Sequence, residues 1–405
     1  MVQSEVFLED FQLLNWLKVL FEPCGINISQ QPFRQYSHPL FFIPTLKNAK
    51  FALPIGSGIK GYWRGLDLYP GMLPGLILKK GLMAAGGLVT PLLKNRQIFL
   101  SSKIHRENPA QQLYGLLSEN SQNLDKIKSF AARSGSAGTG FKLIFQFQKD
   151  GGEPVSYIKV GDPFERGIGL RNENNILRFL ENYRDLARVP EVIGLKEHES
   201  FTSLEISVLK GVRYFPRPSC RRVAALLADL GKRTAILGKL KVIEETERQI
   251  EEYISKEKTK KYVKESIRYL SLNTYFRPLC HRDLAGWNVF LCEGGKLGIL
   301  DWEFGKENHL PFQDLFHYFL HTKMHNSRLS PVQAYRYVFE KDRKVREAIN
   351  IYARNIGVMD PELQRHLMVG YLWDWYSLER SRETEGEVQG GEYLEILDWL
   401  AENQN

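Results

Sequence analysis

The sequence predicts an α+β protein in which a β-rich lobe is followed by a helix-dominated lobe, with an N-terminal extension before both. Three observations carry that prediction. Between Ser129 and Leu209 short β-prone runs alternate with glycine-rich turns, whereas beyond Gly211 apolar residues recur at helical spacing. At 405 residues the chain also exceeds what one hydrophobic core usually supports, so more than one packed unit is expected.

The extension, taken as residues 1–110, starts with apolar residues at helical spacing from Val6 to Phe21. Leu40 to Ile43 and Phe51 to Ile55 follow as short strands bounded by Pro and Gly. No chemical motif stands in it. Residues 111–210 form the β-rich lobe. It starts with a strand from Ser129 to Arg133, the loop Ser134-Gly-Ser-Ala-Gly-Thr-Gly140 and a strand from Phe141 to Gln148. The turn Lys149-Asp-Gly-Gly152 then leads into Val155 to Val160. Ile176, Leu177 and Leu180 mark one face of a helix over Leu170 to Tyr183, and Pro190 to Ile193 and Leu204 to Leu209 read as further strands. Residues 211–405 form the helical lobe, with helices expected over Cys220 to Leu237, Lys241 to Leu270, Phe312 to His321, Pro331 to Phe339 and Pro361 to Arg380.

Composition narrows the function classes. An apolar fraction of 43% with 25% charged residues is that of a folded globular chain, neither disordered nor collagenous. Cys24, Cys220, Cys280 and Cys292 lack zinc-site spacing and disulfide-scaffold density, and are read as reduced thiols. With no secretory signal at the start, the expected location is the cytoplasm. Leu66 to Leu100 is the most apolar stretch, but Lys79, Lys80 and several Gly and Pro interrupt it, so no transmembrane span is expected. Peripheral membrane contact by Leu73, Leu76 to Leu78, Leu82 and Met83 is the alternative there to a packed core element. The formal charge of +8 falls largely on mixed-sign helices such as Lys239 to Arg268, so nucleic acid is not an expected partner.

Chemistry concentrates in Cys280-His-Arg-Asp-Leu-Ala-Gly-Trp-Asn-Val-Phe290 and Leu297-Gly-Ile-Leu-Asp-Trp-Glu-Phe-Gly305. Phosphoryl transfer needs a carboxylate at the acceptor hydroxyl, and an amide oxygen with a second carboxylate to hold magnesium on the nucleotide phosphates. Asp283, Asn288 and Asp301 supply those groups. A lone loop Asp is more often a turn or cap residue, but that explanation must cover all three, placed between the strand-like Tyr275 to Leu279 and the hairpin-like pair Val289 to Leu291 and Leu297 to Leu300.

These segments resemble the catalytic and metal loops of the protein-kinase-like superfamily, in particular its aminoglycoside phosphotransferase and choline kinase branch, over roughly residues 126 to 320. The resemblance implies the kinase-type two-lobed fold, ATP as co-substrate and Mg2+ as cofactor. Asp283 would orient the acceptor hydroxyl, and Asn288 and Asp301 would bind magnesium, with His281 supporting the loop. Lys159 matches the strand lysine that contacts the α- and β-phosphates, in preference to Lys142. Glu173, ahead of Leu177 and Leu180, matches its helix partner. Ser134, Gly135, Gly138 and Gly140 would bring backbone amides to phosphate. Ser207 and Leu209 stand where the family hinge faces adenine. Asp314 would cap a helix and brace the catalytic loop, and Glu303 is either a second magnesium contact or solvent-facing.

The implied activity is transfer of the γ-phosphoryl group of ATP to a hydroxyl of a small molecule such as a sugar, an aminoglycoside-like compound or an amino alcohol. One position departs from that branch. Arg282 stands where it usually has Gly and protein kinases have Arg, so a protein kinase is the first rival, opposed by the short run from Asp301 to the helix at Phe312. A non-catalytic binding module is the second. The acids Asp374, Glu379, Glu383, Glu385, Glu387, Glu392 and Glu395, near Trp373, Trp375 and Tyr376, are either a subsite for a cationic amine or a solvated helix face.

Overall fold

The structure, a computed structural model, describes residues 12–29, 38–43, 51–54, 97–102, 108–135, 142–213, 220–241, 244–381 and 390–403. It is α+β, as expected. Its contacts divide the chain into one unit of Met1–Asn174 with Pro190–Val208 and a second of Asn175–Val189 with Leu209–Asn405. The first is built on a sheet and the second is mainly helical.

In the first unit nine antiparallel strands are described: β1 (Ile26–Ser29), β2 (His38–Ile43), β3 (Phe51–Pro54), β4 (Gln97–Ser102), β5 (Ser129–Ser134), β6 (Lys142–Gln148), β7 (Pro154–Gly161), β8 (Val192–His198) and β9 (Phe201–Ser207). They lie in the order β1-β4-β2-β3-β5-β6-β7-β9-β8. The join between β3 and β5 pairs Phe51 with Arg133 and Ala52 with Ala132, so the described strands β1 to β4 continue the same sheet. The core confirms this continuity. Leu13, Leu17 and Leu20 of helix α1 (Gln12–Phe21) are buried in one cluster with Leu113 and Tyr114 of α2 (Pro109–Leu117) and with Phe130, Phe145 and Phe147. Phe21 stands edge-on to Phe130, with ring centroids 6.2 Å apart, and Tyr114 stands edge-on to Phe147 at 5.1 Å. Each such ring contributes about 1.5–3 kcal/mol by leaving water.

Helix α3 (Glu165–Leu180) follows β7, with Asp162 accepting from the Phe164 and Glu165 amides at its start. The second unit contains α4 (Cys220–Thr234), the strand β10 (Gly211–Arg213), and the short ribbon β11 (Ile236–Gly238) with β12 (Tyr275–Arg277). The expected helix Lys241 to Leu270 is two helices, α5 (Glu244–Tyr253) and α6 (Glu257–Leu272). The hairpin β13 (Val289–Cys292) and β14 (Leu297–Ile299) lies between the two chemical segments. Helix α7 (Gln313–Asn326) is buried all round from Gln313 to Leu320, which marks a core helix rather than an amphipathic surface one. Then come α8 (Pro331–Arg336), α9 (Arg343–Ile356), α10 (Pro361–Arg380) and α11 (Gly391–Glu402). Pro at N1 and Asp360 as N-cap, accepting from Glu362 N at 3.0 Å, start α10 where the sequence places it. No described helix is long and apolar enough to cross a membrane.

Candidate active site

The second unit joins the two segments expected to be catalytic and metal loops through backbone pairing. Val289 pairs with Ile299, and the Leu300 N–H donates to the Asn288 carbonyl at 3.0 Å, so Asn288 and Asp301 stand at the same end of one hairpin. The Asn288 side-chain amide donates to the Asp283 carbonyl at 2.9 Å, which leaves its Oδ1 as an acceptor. Asn288 is buried, while Asp283 and Asp301 are partly exposed. Asp301 adopts φ 70°, a left-handed conformation that costs about 1–3 kcal/mol in a non-glycine residue and recurs at functional sites. An amide oxygen and a carboxylate are hard donors of the kind magnesium accepts, with phosphate oxygens and waters completing its shell.

His281 is fully buried and ties the two loops. Its Nε2 lies 2.7 Å from the Leu300 carbonyl and its Nδ1 accepts from Asp283 N at 3.2 Å, with Trp302 packed against the ring. The bracing role expected for Asp314 is present. Its carboxylate accepts from His281 N at 2.7 Å and from Arg282 N at 2.8 Å. It is not the helix cap, however, because the N-cap of α7 is Phe312, at φ 66°, and Asp314 sits in the first turn with its oxygens spent on the catalytic loop.

Arg282 adopts φ 68°. Glycine enters that region freely, whereas an arginine does so only under strain. The Arg282 side chain reaches across to Asp374, with Nε to Oδ2 at 3.0 Å and Nη2 to Oδ1 at 2.8 Å. His309 Nε2, at 3.2 Å, and Gln313 Nε2, at 3.0 Å, also face Asp374 Oδ2. Burial opposes the Asp374 charge, but Arg282 and His309 outweigh it and hold the carboxyl well below its usual range. Asp374 is therefore neither part of a solvated face nor a subsite for an amine. Trp373, Trp375 and Tyr376 are buried core residues, and Glu383, Glu385 and Glu387 lie outside the described residues.

In the first unit Lys159, on β7, meets Glu173, on α3. Its Nζ lies 2.8 Å from Oε1 and 2.7 Å from Oε2, and both side chains are almost wholly buried. Lys142 instead runs along Gly135, where an added Cβ would stand 2.9 Å from the lysine stem, and the Gly135 N–H donates to the Lys142 carbonyl at 2.7 Å. Ser134 pairs with Leu143, so Ser134 and Gly135 form the described base of the glycine-rich hairpin. Gly138 and Gly140 lie outside the described residues. The Ser207 amide donates to the Glu191 carbonyl at 2.8 Å, so this N–H is engaged within the sheet. Leu209 packs at Gly298, where an added Cβ would come within 2.9 Å of its Cδ2. Glu303 is half-buried.

Sequence reasoning missed two groups. Asp374 is remote in sequence from Arg282, and nothing local marks the pair. His317 lies three residues beyond Asp314 on α7, with Nε2 3.4 Å from Asp283 Oδ1. The spacing of His317 and His321 on the expected helix was the available signal for a side facing the candidate catalytic loop.

Residues 163–343 match the sequence model of the phosphotransferase enzyme family. The chain has no match among curated protein sequences. Among solved structures it is similar to the choline kinase LicA from Streptococcus pneumoniae, at 14% identity over 69% of this chain and 95% of that one, with a TM-score of 0.45. It is also similar to the aminoglycoside phosphotransferase APH(3'')-Id from Streptomyces rimosus, at 13% identity over 59% and 92% of the two chains and a TM-score of 0.39. For the aminoglycoside-3'-phosphotransferase of type VIII the values are 18%, 60%, 90% and 0.39. The matched residues 163–343 contain both candidate loops, and the match agrees with the resemblance drawn from the sequence.

Proposed function

We propose that this chain is an ATP-dependent phosphotransferase that moves the γ-phosphoryl group to a hydroxyl of a small molecule. The observation that carries the reading is the second unit's catalytic constellation, in which Asp283 is partly exposed on a loop fixed by His281 and Asp314 beside the Asn288 and Asp301 pair. Asp283 orients the acceptor hydroxyl and takes its proton as the bond to phosphorus forms. Asn288 Oδ1 and the Asp301 carboxylate would hold Mg2+, which when bound offsets phosphate charge. Lys159, fixed by Glu173, supplies a compact positive charge for the phosphate oxygens. Ser134 and Gly135 flank the phosphates, and Ser207 and Leu209 stand at the adenine, with the Ser207 carbonyl rather than its engaged N–H as the contact.

Arg282 was the feature favouring a protein acceptor. Its engagement with Asp374 gives it a structural task and supports a small acceptor instead. ADP release from MgATP, measured with pooled sugars, nucleosides and amines, tests the reading against an Asp283→Ala variant whose folding is verified. Acceptor-dependent turnover that disappears in the variant is the expected result. Failure to bind MgATP would overturn the reading.

A further inference from the structure

His317 has no role in the phosphotransferase chemistry described above, yet it is the buried side chain aimed at the catalytic carboxylate. Its ring is completely shielded from solvent, with Nε2 3.4 Å from Asp283 Oδ1 and, among the described residues, no hydrogen-bond partner for that nitrogen. A buried donor left in this state costs about 1–3 kcal/mol, so its orientation calls for an explanation. Two ring contacts hold the imidazole: His321 stacks on it at 4.5 Å between centroids, and Trp375 lies tilted against it at 4.2 Å. The opposite nitrogen, Nδ1, faces the Tyr371 hydroxyl at 3.4 Å. Tyr371 is hydrogen-bonded in turn to Tyr393, whose hydroxyl lies 2.8 Å from His321 Nδ1.

This arrangement selects one tautomer. Burial, reinforced by the nearby His281, pushes the His317 pKa down to about 3, so the imidazole is neutral and carries a single N–H. A carboxylate offers only acceptors, whereas a tyrosine hydroxyl can donate. The pairing that satisfies both sides places the proton on Nε2, toward Asp283, and leaves Nδ1 to accept from Tyr371.

We propose that His317 is a positioning residue for Asp283, a neutral imidazole whose Nε2–H engages Oδ1 and leaves Oδ2 to receive the acceptor proton. At 3.4 Å the contact is longer than a formed hydrogen bond, and catalytic contacts of this kind tighten when substrate is bound. The stacked His321 and the tilted Trp375 fix the ring, and the Tyr371 hydroxyl fixes the tautomer. This proposal rests on the phosphotransferase reading, and its test keeps the two apart.

The first arm uses the full chain labelled with 15N-histidine. At about pH 7 the expected spectrum shows His317 as the Nε2–H tautomer, with a resonance that moves in Asp283→Asn. An Nδ1–H tautomer, or a resonance indifferent to Asp283→Asn, overturns the proposal whatever the turnover. The second arm measures MgATP hydrolysis, with water in the acceptor's place. His317→Phe keeps the ring stack but loses the donor, and is expected to lower kcat roughly 10- to 100-fold with KM for MgATP unchanged. His317→Gln, which restores an N–H near the Nε2 position, recovers most of that loss. An unchanged kcat in His317→Phe, or parallel losses of kcat and folded protein with no recovery in His317→Gln, overturns the positioning role. Wild-type protein that neither binds nor turns over MgATP overturns the phosphotransferase reading itself, and the positioning role with it.

Discussion

Arg282 and Asp374, far apart in sequence, form a two-pronged ion pair directly behind the catalytic loop, with Nε to Oδ2 at 3.0 Å and Nη2 to Oδ1 at 2.8 Å. The pair offsets the strain of an arginine at φ 68° and fixes the residue next to Asp283. Removing one partner leaves a largely buried charge unmatched. Asp374→Ala is therefore expected to destabilise the protein by about 3–5 kcal/mol, read as a lowered denaturant midpoint. Arg282→Gly relieves the backbone strain but strands Asp374, so it should also destabilise. In the Arg282→Gly, Asp374→Asn double variant much of the stability should return, and additive losses in that cycle would disprove the coupling.

The buried histidines of the second unit predict a definite pH response. Burial lowers the pKa of His317 to about 3 and also lowers those of His309 and His321, so all three are neutral in the fold. Unfolded histidine protonates near pH 6.5. As pH falls below that value the unfolded chain gains protons that the folded chain refuses, so stability is lost from about pH 6.5 downward, through His317's folded value near 3. Each such group steepens the loss by about 1.4 kcal/mol per pH unit. His317→Gln should flatten the fall in unfolding midpoint between pH 7 and pH 5, while leaving the neutral-pH slope unchanged. An equally steep fall in the variant would remove His317 from the account.

The candidate catalytic loop was readable because the motif that carries its resemblance is local: Asn288 and Asp301 flank one short hairpin, with Asp283 just before it. Lys159 and Glu173 were expected as a pair from the order that the resembling family keeps along its chain, and their side chains do meet. Asp374 was not, since its partner is chosen by how α10 packs, and an acid beside Trp373 and Trp375 reads equally as a surface or a ligand site. The break between α5 and α6 at Ile254–Lys256 carries neither Gly nor Pro, so helical periodicity runs straight through it in the sequence. Helix α1 and strands β1 to β4 looked separate because they lack motifs, yet burial rather than chemistry is what binds them to the sheet.

That burial makes the N-terminal segment a stability determinant of the first unit. Leu17 of α1 is wholly buried in the cluster that holds Phe130 and Phe145. Leu17→Ala should cost about 2–5 kcal/mol, the usual range for emptying a leucine site in a packed core. Denaturant unfolding followed by a probe in the β-rich unit checks this. A loss confined to α1, with the sheet unfolding at its original midpoint, would show that the segment is an independent appendage.

Lys159 and Glu173 separate stability from chemistry. Both side chains are nearly solvent-free and share two contacts below 3 Å, so either one alone would be a buried unmatched charge. Lys159→Met should destabilise the first unit by about 3–5 kcal/mol and abolish MgATP turnover. Pairing it with Glu173→Leu replaces two buried charges by apolar groups of similar size, which is often neutral or stabilising. The double variant should regain the wild-type unfolding midpoint but none of the turnover, because the phosphate oxygens still lack their cation. Turnover returning with stability would show that Lys159 serves the fold alone; stability failing to return would show that the cost lies in lost packing rather than in an unmatched charge.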